Sequence, residues 1–176
     1  MKNIKKTKFN GLFIFQGEKH RDNRGYLREL VVEKKIKKKF KFQIISKSKK
    51  NVLRGLHFQF KKPQGKYISV IKGEIFDVAV DLRKNSSTFG KIFTKILSEK
   101  NSLSVYIPAG FAHGFCGLDT ENFIIYSCTK YRDAKSETGI KYNDENLNIK
   151  WPIKNPILSI NDKKNISFKE FKKKIK

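Results

Sequence analysis

Gly73-Glu-Ile-Phe-Asp-Val-Ala-Val-Asp-Leu-Arg83 is the stretch that decides the fold class. Phe76, Val78, Val80 and Leu82 recur every second residue, so in an extended chain they share one face. Working outward, residues 12–15, 52–60, 67–71, 92–97, 103–107 and 122–131 read as further strands. Turn chemistry falls between them: Pro63-Gln-Gly65, Lys72-Gly73, Lys84-Asn-Ser-Ser87, Pro108-Ala-Gly110 and Asp119-Thr-Glu121. Many short strands at close spacing indicate an all-β sandwich or barrel. Helical pattern is scarce: residues 29–40 predict one short helix, and residues 167–175 another with Ser167 as its cap. No repeat and no Gly/Ser/Pro linker divides the chain, so residues 1–176 read as one domain.

Composition excludes several classes. With 176 residues the chain can bury a core, and 12% aromatic content rules out wholesale disorder. No apolar run approaches the roughly 20 residues that cross a bilayer. The basic start, Met-Lys-Asn-Ile-Lys-Lys, is followed by too short an apolar stretch for a signal-peptide core, so a cytoplasmic location is expected. The formal net charge is +24, which first suggests nucleic acid or an anionic membrane. Its distribution weakens that reading. Of the 40 basic residues, Arg supplies only six (21, 24, 28, 54, 83 and 132), although Arg carries the planar fork that reads bases. The lysines cluster in terminal and loop-like places, at 34–41, 47–50 and 172–176, as a biased codon composition would leave them. Neither a membrane nor a nucleic-acid partner is expected; a positive field that draws in an anionic small molecule remains.

Cys116 and Cys128 both sit in apolar strand-like segments with no CxxC or CxxH neighbour, so buried free thiols are expected. The chain has three histidines. His57 lies in Val52-Leu-Arg-Gly-Leu-His-Phe-Gln59. There Arg54, Leu56 and Phe58 alternate with Leu53, Gly55, His57 and Gln59, so His57 and Gln59 share a face that carries a glycine. A glycine on an inner barrel face leaves room for a ligand. His113 follows a turn in Ile107-Pro-Ala-Gly-Phe-Ala-His-Gly-Phe115 and opens the next strand. Its P-x-G-x-x-H spacing is similar to the second motif of the cupins, small barrels of double-stranded β-helix (jelly-roll) type. Metal-binding cupins carry an H-x-H pair in their first motif, whereas here His57 is followed by Phe58 and Gln59. A three-histidine site would need His20, which stands in a charged stretch, so no metal is expected.

An ordered set of motifs makes the resemblance specific. It runs through Asp22-Asn-Arg-Gly-Tyr-Leu-Arg-Glu29, Val52–Gln59, Pro63-Gln-Gly-Lys66, Gly73–Arg83 and Ser87-Thr-Phe-Gly90. It continues through Ile107–Phe115, Tyr126-Ser-Cys-Thr-Lys-Tyr131, Glu137-Thr-Gly-Ile140, Ile149-Lys-Trp-Pro152 and Leu158-Ser-Ile-Asn-Asp162. From about residue 22 to 162 the order resembles the dTDP-4-dehydrorhamnose 3,5-epimerase family, a cofactor-free branch of the cupins. The resemblance implies an all-β cupin barrel with short peripheral helices. It also implies a nucleotide-linked 4-keto-6-deoxy sugar as substrate, no cofactor, and a homodimer with a shared site.

Epimerisation beside a ketone needs a base on one face, a proton donor on the other and a group to hold the enolate oxygen. The resemblance implies His57 as base, with Asp162 fixing its tautomer, and Tyr126 as acid. An imidazole suits proton removal at neutral pH, and a phenol serves as acid against a basic enolate carbon. Lys66 and Arg54 match positions that meet the keto oxygen and the diphosphate. Gln59 and His113 are expected to line the substrate pocket. Arg24 and Glu29 match a strand that crosses into the neighbouring subunit to reach diphosphate and thymine, and Tyr131 an aromatic near sugar and base. The chain departs from the family pattern at Leu27, Phe42, Ile44 and Asn161, where an aromatic, a Gln, an Asn and a basic residue are usual. These departures touch nucleotide or sugar contacts and leave the acid–base set intact.

Overall fold

The computed structural model describes residues 4–175, so the first three residues of the basic start and Lys176 lie outside the described region. Its strands are β1 (Ile4–Lys6), β2 (Phe13–Gln16), β3 (Lys19–Asp22), β4 (Gly25–Arg28), β5 (Phe42–Lys49), β6 (Leu53–Gln59) and β7 (Lys66–Lys72). The rest are β8 (Glu74–Asp81), β9 (Ile92–Ser98), β10 (Leu103–Ile107), β11 (Phe111–Gly117), β12 (Glu121–Cys128) and β13 (Glu137–Gly139). Three short helices complete the chain: α1 (Glu33–Ile36), α2 (Ile160–Lys163) and α3 (Phe168–Lys174).

A six-stranded sheet of order β1-β2-β10-β7-β12-β5 faces a five-stranded sheet of order β13-β6-β11-β8-β9. Neighbours in space are mostly distant in sequence, and every strand pairing in both sheets is antiparallel. This is the jelly roll that the resemblance implies.

The alternation in β8 shows how the layers form. Ile75 and Ala79 point between the sheets, into a core shared with Ile68, Val70, Leu97, Val105, Phe115 and Ile124. Val78 and Val80 point outward, yet both are fully buried. They are covered by the C-terminal segment, where Phe168 and Phe171 of α3 pack with Leu56, Phe58 and Ile140. Each such aromatic contributes about 1.5–3 kcal/mol on burial, enough to hold an otherwise irregular stretch against the sheet. Helix α3 begins as expected, with Ser167 and Glu170 capping each other's backbone. Asp144 adds an acceptor for the Phe168 amide at 2.8 Å.

Two expectations need correction. The helix within residues 29–40 is a single turn, and Ile36 is its one buried residue, set beside Phe15, Tyr67 and Tyr106. Lys47 and Lys49 are not in a loop but on β5, the edge of the six-stranded sheet. Charged side chains on an edge strand discourage pairing with other chains, so lysines are at home there. Strands β3 and β4 form a separate, largely exposed hairpin. Its base is fastened by the Arg28 guanidinium, which donates to the carbonyls of Val70 and Ser102, both at 3.1 Å.

Candidate active site

A cavity of about 240 Å³ opens between the two sheets. His57, Arg54 and Gln59 from β6 and His113 from β11 line one wall; Tyr126 and Cys128 from β12, Lys66 from β7 and Ser46 from β5 line the other. Imidazole and phenol therefore descend from opposite sheets. Facing sheets stand about 10 Å apart, which leaves room for one sugar ring between them.

Arg54 and His57 line the same cavity, although simple alternation puts them on opposite faces. The cause is a bulge. On β11 His113 pairs with His57 and Phe115 with Arg54, so Gly55 and Leu56 together stand opposite the single residue Gly114. One extra residue reverses the phase of a strand. Nor does Gly55 make room for a ligand: at φ +132°, a β-carbon there would lie 2.5 Å from the Gly114 Cα. The glycine is needed for backbone conformation and close strand approach.

The bulge also docks the carboxylate. Asp162 lies on α2, whose cap Ser159 accepts from the Asp162 amide at 3.0 Å and donates to Asp162 Oδ2 at 2.7 Å. The Gly55 amide donates to Asp162 Oδ1 at 3.3 Å, and Asn165 Nδ2 donates back to the Gly55 carbonyl at 3.1 Å. Asp162 Oδ1 sits 2.5 Å from His57 Nε2, although 105 residues separate the two. With Nε2–H donated to Asp162, Nδ1 keeps the lone pair that a base needs. The Asp162 side chain is 4% exposed and that of His57 34%. Burial alone would raise the Asp162 carboxyl; the hydrogen bonds from His57 and Ser159, with the imidazole's charge and the Gly55 amide, outweigh it and hold the carboxyl below its ordinary value.

A second imidazole–carboxylate pair lies deeper. His113 Nε2 is 2.6 Å from Asp77 Oδ1, and Asp77 is fully buried. Among the described residues Asp77 Oδ2 has no hydrogen-bond partner. The His113 ring packs edge-on against Tyr126, centroids 6.1 Å apart. Burial pushes the Tyr126 phenol well above its ordinary range, opposed by a hydrogen bond from Ser46 and by the charge of Arg54. Burial also lowers the Lys66 ammonium, while Cys128, Glu137 and Asp77 act in the other direction. Cys116 and Cys128 are buried free thiols, as expected.

The remaining candidates are spread more widely. The Gln59 amide is committed to loops, donating to the Lys62 carbonyl at 2.7 Å and accepting from the Asp133 amide at 2.9 Å. Arg24 stands at the hairpin tip with its side chain 86% exposed and paired to Asp22, and neither it nor Glu29 is among the cavity-lining residues. Tyr131 is exposed and stacks on Phe42, ring centroids 5.8 Å apart. Sequence reasoning passed over Ser46, Asp77, and the Arg132–Glu137 pair, 2.6 Å apart at the cavity wall. Asp77 had a usable signal, a charge among buried apolar neighbours on both faces of β8. Arg132 had none, since it follows a strand end in a polar loop. Among the described residues no group of three or more His, Cys, Asp or Glu is placed to hold a metal ion, and no helix is long and apolar enough to cross a membrane.

Comparison with known proteins places the chain in a family. A dTDP-4-dehydrorhamnose 3,5-epimerase from Shigella flexneri is 42% identical over 167 residues, 91% of this chain and 92% of that protein. The crystal structure of the Elizabethkingia anophelis dTDP-4-dehydrorhamnose 3,5-epimerase superposes with a TM-score of 0.89 at 40% identity, covering 96% of this chain and 97% of that one. A Legionella pneumophila dTDP-6-deoxy-D-glucose-3,5-epimerase, solved in complex with dTDP-4-keto-L-rhamnose, also gives 0.89 at 40% identity, covering 94% of this chain and 92% of that one. The cupin-type jelly roll is thus shared. The family profile described as dTDP-4-dehydrorhamnose 3,5-epimerase matches residues 6–170, and the chain belongs to that family.

Proposed function

We propose that this chain inverts C3 and C5 of dTDP-4-dehydro-6-deoxy-D-glucose, giving dTDP-4-dehydro-L-rhamnose, by acid–base chemistry of its own side chains without a cofactor. The observation that carries the reading is the supply of base and acid from facing sheets, His57 with Asp162 on one side and Tyr126 on the other. His57 Nδ1 takes the proton beside the C4 ketone, and the resulting imidazolium is balanced by Asp162. A general base of this kind contributes about 10²–10⁴-fold. Negative charge builds on the ketone oxygen, where the buried Lys66 ammonium stabilises it; one such donor is worth about 10²–10³-fold. Tyr126 then protonates the carbon from the opposite face, and the centre is inverted. The same pair serves the second centre, because the ketone lies between C3 and C5 and acidifies both.

Arg54 is assigned to the diphosphate, beside Arg132 and Lys164 in an adjoining polar recess. His113 and Gln59 shape the sugar pocket, and Tyr131 lies at the nucleotide end. In the single chain Arg24 and Glu29 stand on the exposed hairpin. We place the same hairpin of a second copy against the nucleotide, which makes the active unit a homodimer working in the cytoplasm.

The test is incubation with dTDP-4-dehydro-6-deoxy-D-glucose in heavy water, followed by NMR. Deuterium at both C3 and C5 with inversion is expected. Exchange at C3 alone assigns a 3-epimerase, and no exchange at either carbon overturns the reading.

A further inference from the structure

Tyr131 is a ring with one face occupied. It lies in the polar loop that follows β12, Thr129-Lys-Tyr-Arg-Asp133, and is 68% exposed in the single chain. The loop is tied down on both sides of it. The Thr129 amide donates to the Gly65 carbonyl and the Gly65 amide to Thr129 Oγ1, at 3.0 and 2.9 Å. The Gln64 side chain donates to the Lys130 carbonyl, and the Asp133 amide to Gln59 Oε1 at 2.9 Å. What meets the ring itself is Phe42, stacked on it with centroids 5.8 Å apart and planes 24° from parallel. An offset stack of this kind covers one face of the tyrosine and leaves the other open.

Phe42 is a firm seat for that ring. It is half-buried on β5, paired there with Cys128, and lines the cavity together with Ile44, which shares its face of the strand. Neither side chain carries a hydrogen-bonding group, so this stretch of the wall offers only apolar contact. Charge stands beside it: Arg132, directly after Tyr131, lines the cavity and, with Arg54, the polar recess. A nucleotide whose diphosphate meets these arginines therefore finds a flat aromatic surface next to them for its base. Every base has a face that stacks on an aromatic side chain. Phe42 stands where the family usually has Gln, so this seat belongs to the present chain.

We infer that Phe42 is a positioning residue for the nucleobase: it holds the Tyr131 ring flat beside the cavity, and the base stacks on the ring's open face. A loose ring on a loop loses rotational freedom when a ligand stacks on it. A ring already seated on a strand loses less, so the seat lowers the cost of binding. The second copy's hairpin, placed against the nucleotide above, approaches from the solvent side. The base then lies between hairpin and ring, and the site needs no edge open to water. This inference rests on the nucleotide-sugar reading above.

The test measures dTDP and pyrophosphate binding by calorimetry, with turnover of dTDP-4-dehydro-6-deoxy-D-glucose alongside. The variants are Phe42→Leu, Phe42→Tyr, Tyr131→Ala and the double variant of Phe42→Leu with Tyr131→Ala. Phe42→Leu keeps the apolar bulk and loses the flat ring. It is expected to weaken dTDP and raise KM by about three- to ten-fold, with pyrophosphate affinity and kcat held within about 1.5-fold. Phe42→Tyr is expected to restore wild-type affinity. In the Tyr131→Ala background Phe42→Leu is expected to change nothing further, because the two rings act as a unit. Unchanged dTDP affinity in Phe42→Leu overturns the inference, as does a full additional loss in the double variant. Failure of the underlying reading looks different, since there the wild-type chain itself neither binds dTDP nor turns over the nucleotide sugar.

Discussion

Asp162→Asn isolates the electrostatic part of the His57–Asp162 pair. The replacement has nearly the same shape. Its amide oxygen can keep the Gly55 amide and His57 Nε2–H, and its amide nitrogen can donate to Ser159 Oγ, whose hydroxyl rotates to accept. What disappears is the negative charge 2.5 Å from the ring nitrogen. Opposite unit charges about 4 Å apart attract by about 4 kcal/mol at an effective dielectric of about 20. His57 is 34% exposed, so water screens part of this, and roughly 2–4 kcal/mol is the expected loss of imidazolium stabilisation. Proton abstraction should slow by about 30- to 1,000-fold. Asp162 lies behind His57, outside the sugar cavity but on the wall of the recess assigned to the diphosphate, so the loss should fall mainly on kcat, with KM unchanged or lowered as a negative charge leaves that recess. The assay is steady-state turnover with deuterium wash-in at both carbons, alongside a thermal melt. A well-folded Asp162→Asn enzyme with kcat within three-fold of wild type would falsify the assignment of Asp162 as the partner of the base.

Lys66→Met should lower kcat by about 10²–10³-fold with a smaller change in KM, checked by the same turnover assay, since the enolate oxygen loses its buried cation. Gly55→Ala should cost about 3 kcal/mol and lower Tm by roughly 6–12 °C in calorimetry, because its β-carbon meets Gly114 and its φ is unfavourable for alanine. Asp81 is fully buried; burial favours its neutral form, but bonds from Arg83, Ser86 and Thr88 outweigh that and bring its pKa to about 2. Its folded pKa lies below the unfolded value near 3.8, so the stabilisation is complete above about pH 5 and is lost as pH falls toward 2. Urea titrations should show wild type losing about 2 kcal/mol from this group over that window, and Asp81→Asn, less stable at pH 7, lacking that share of the acid loss.

The fold was legible where one physical rule dominated. Alternation in β8 marked the strand, but not which face meets the other sheet, since the Val78 and Val80 face lies outward under α3 and both faces are buried; Ser167 marked the start of α3. The rule failed at Arg54, because a bulge depends on the residue across the sheet: Gly55 is readable as a glycine, but its approach to Gly114 is not. Lysines 47 and 49 looked like loop because charge is a poor guide on an edge strand, where solvation and pairing coexist. The site was legible mainly through the ordered motifs. The contact between His57 and Asp162 is made by α2, a single turn too short for any periodicity to mark.

The central claim is that base and acid reach one sugar ring from opposite sheets, and Tyr126→Phe in heavy water tests it most directly. His57 in that variant should still remove protons, exchange them with solvent and return deuterium to the same face. The account therefore predicts deuterium at the exchanging carbons with configuration retained. Inversion at the wild-type rate by Tyr126→Phe would contradict it.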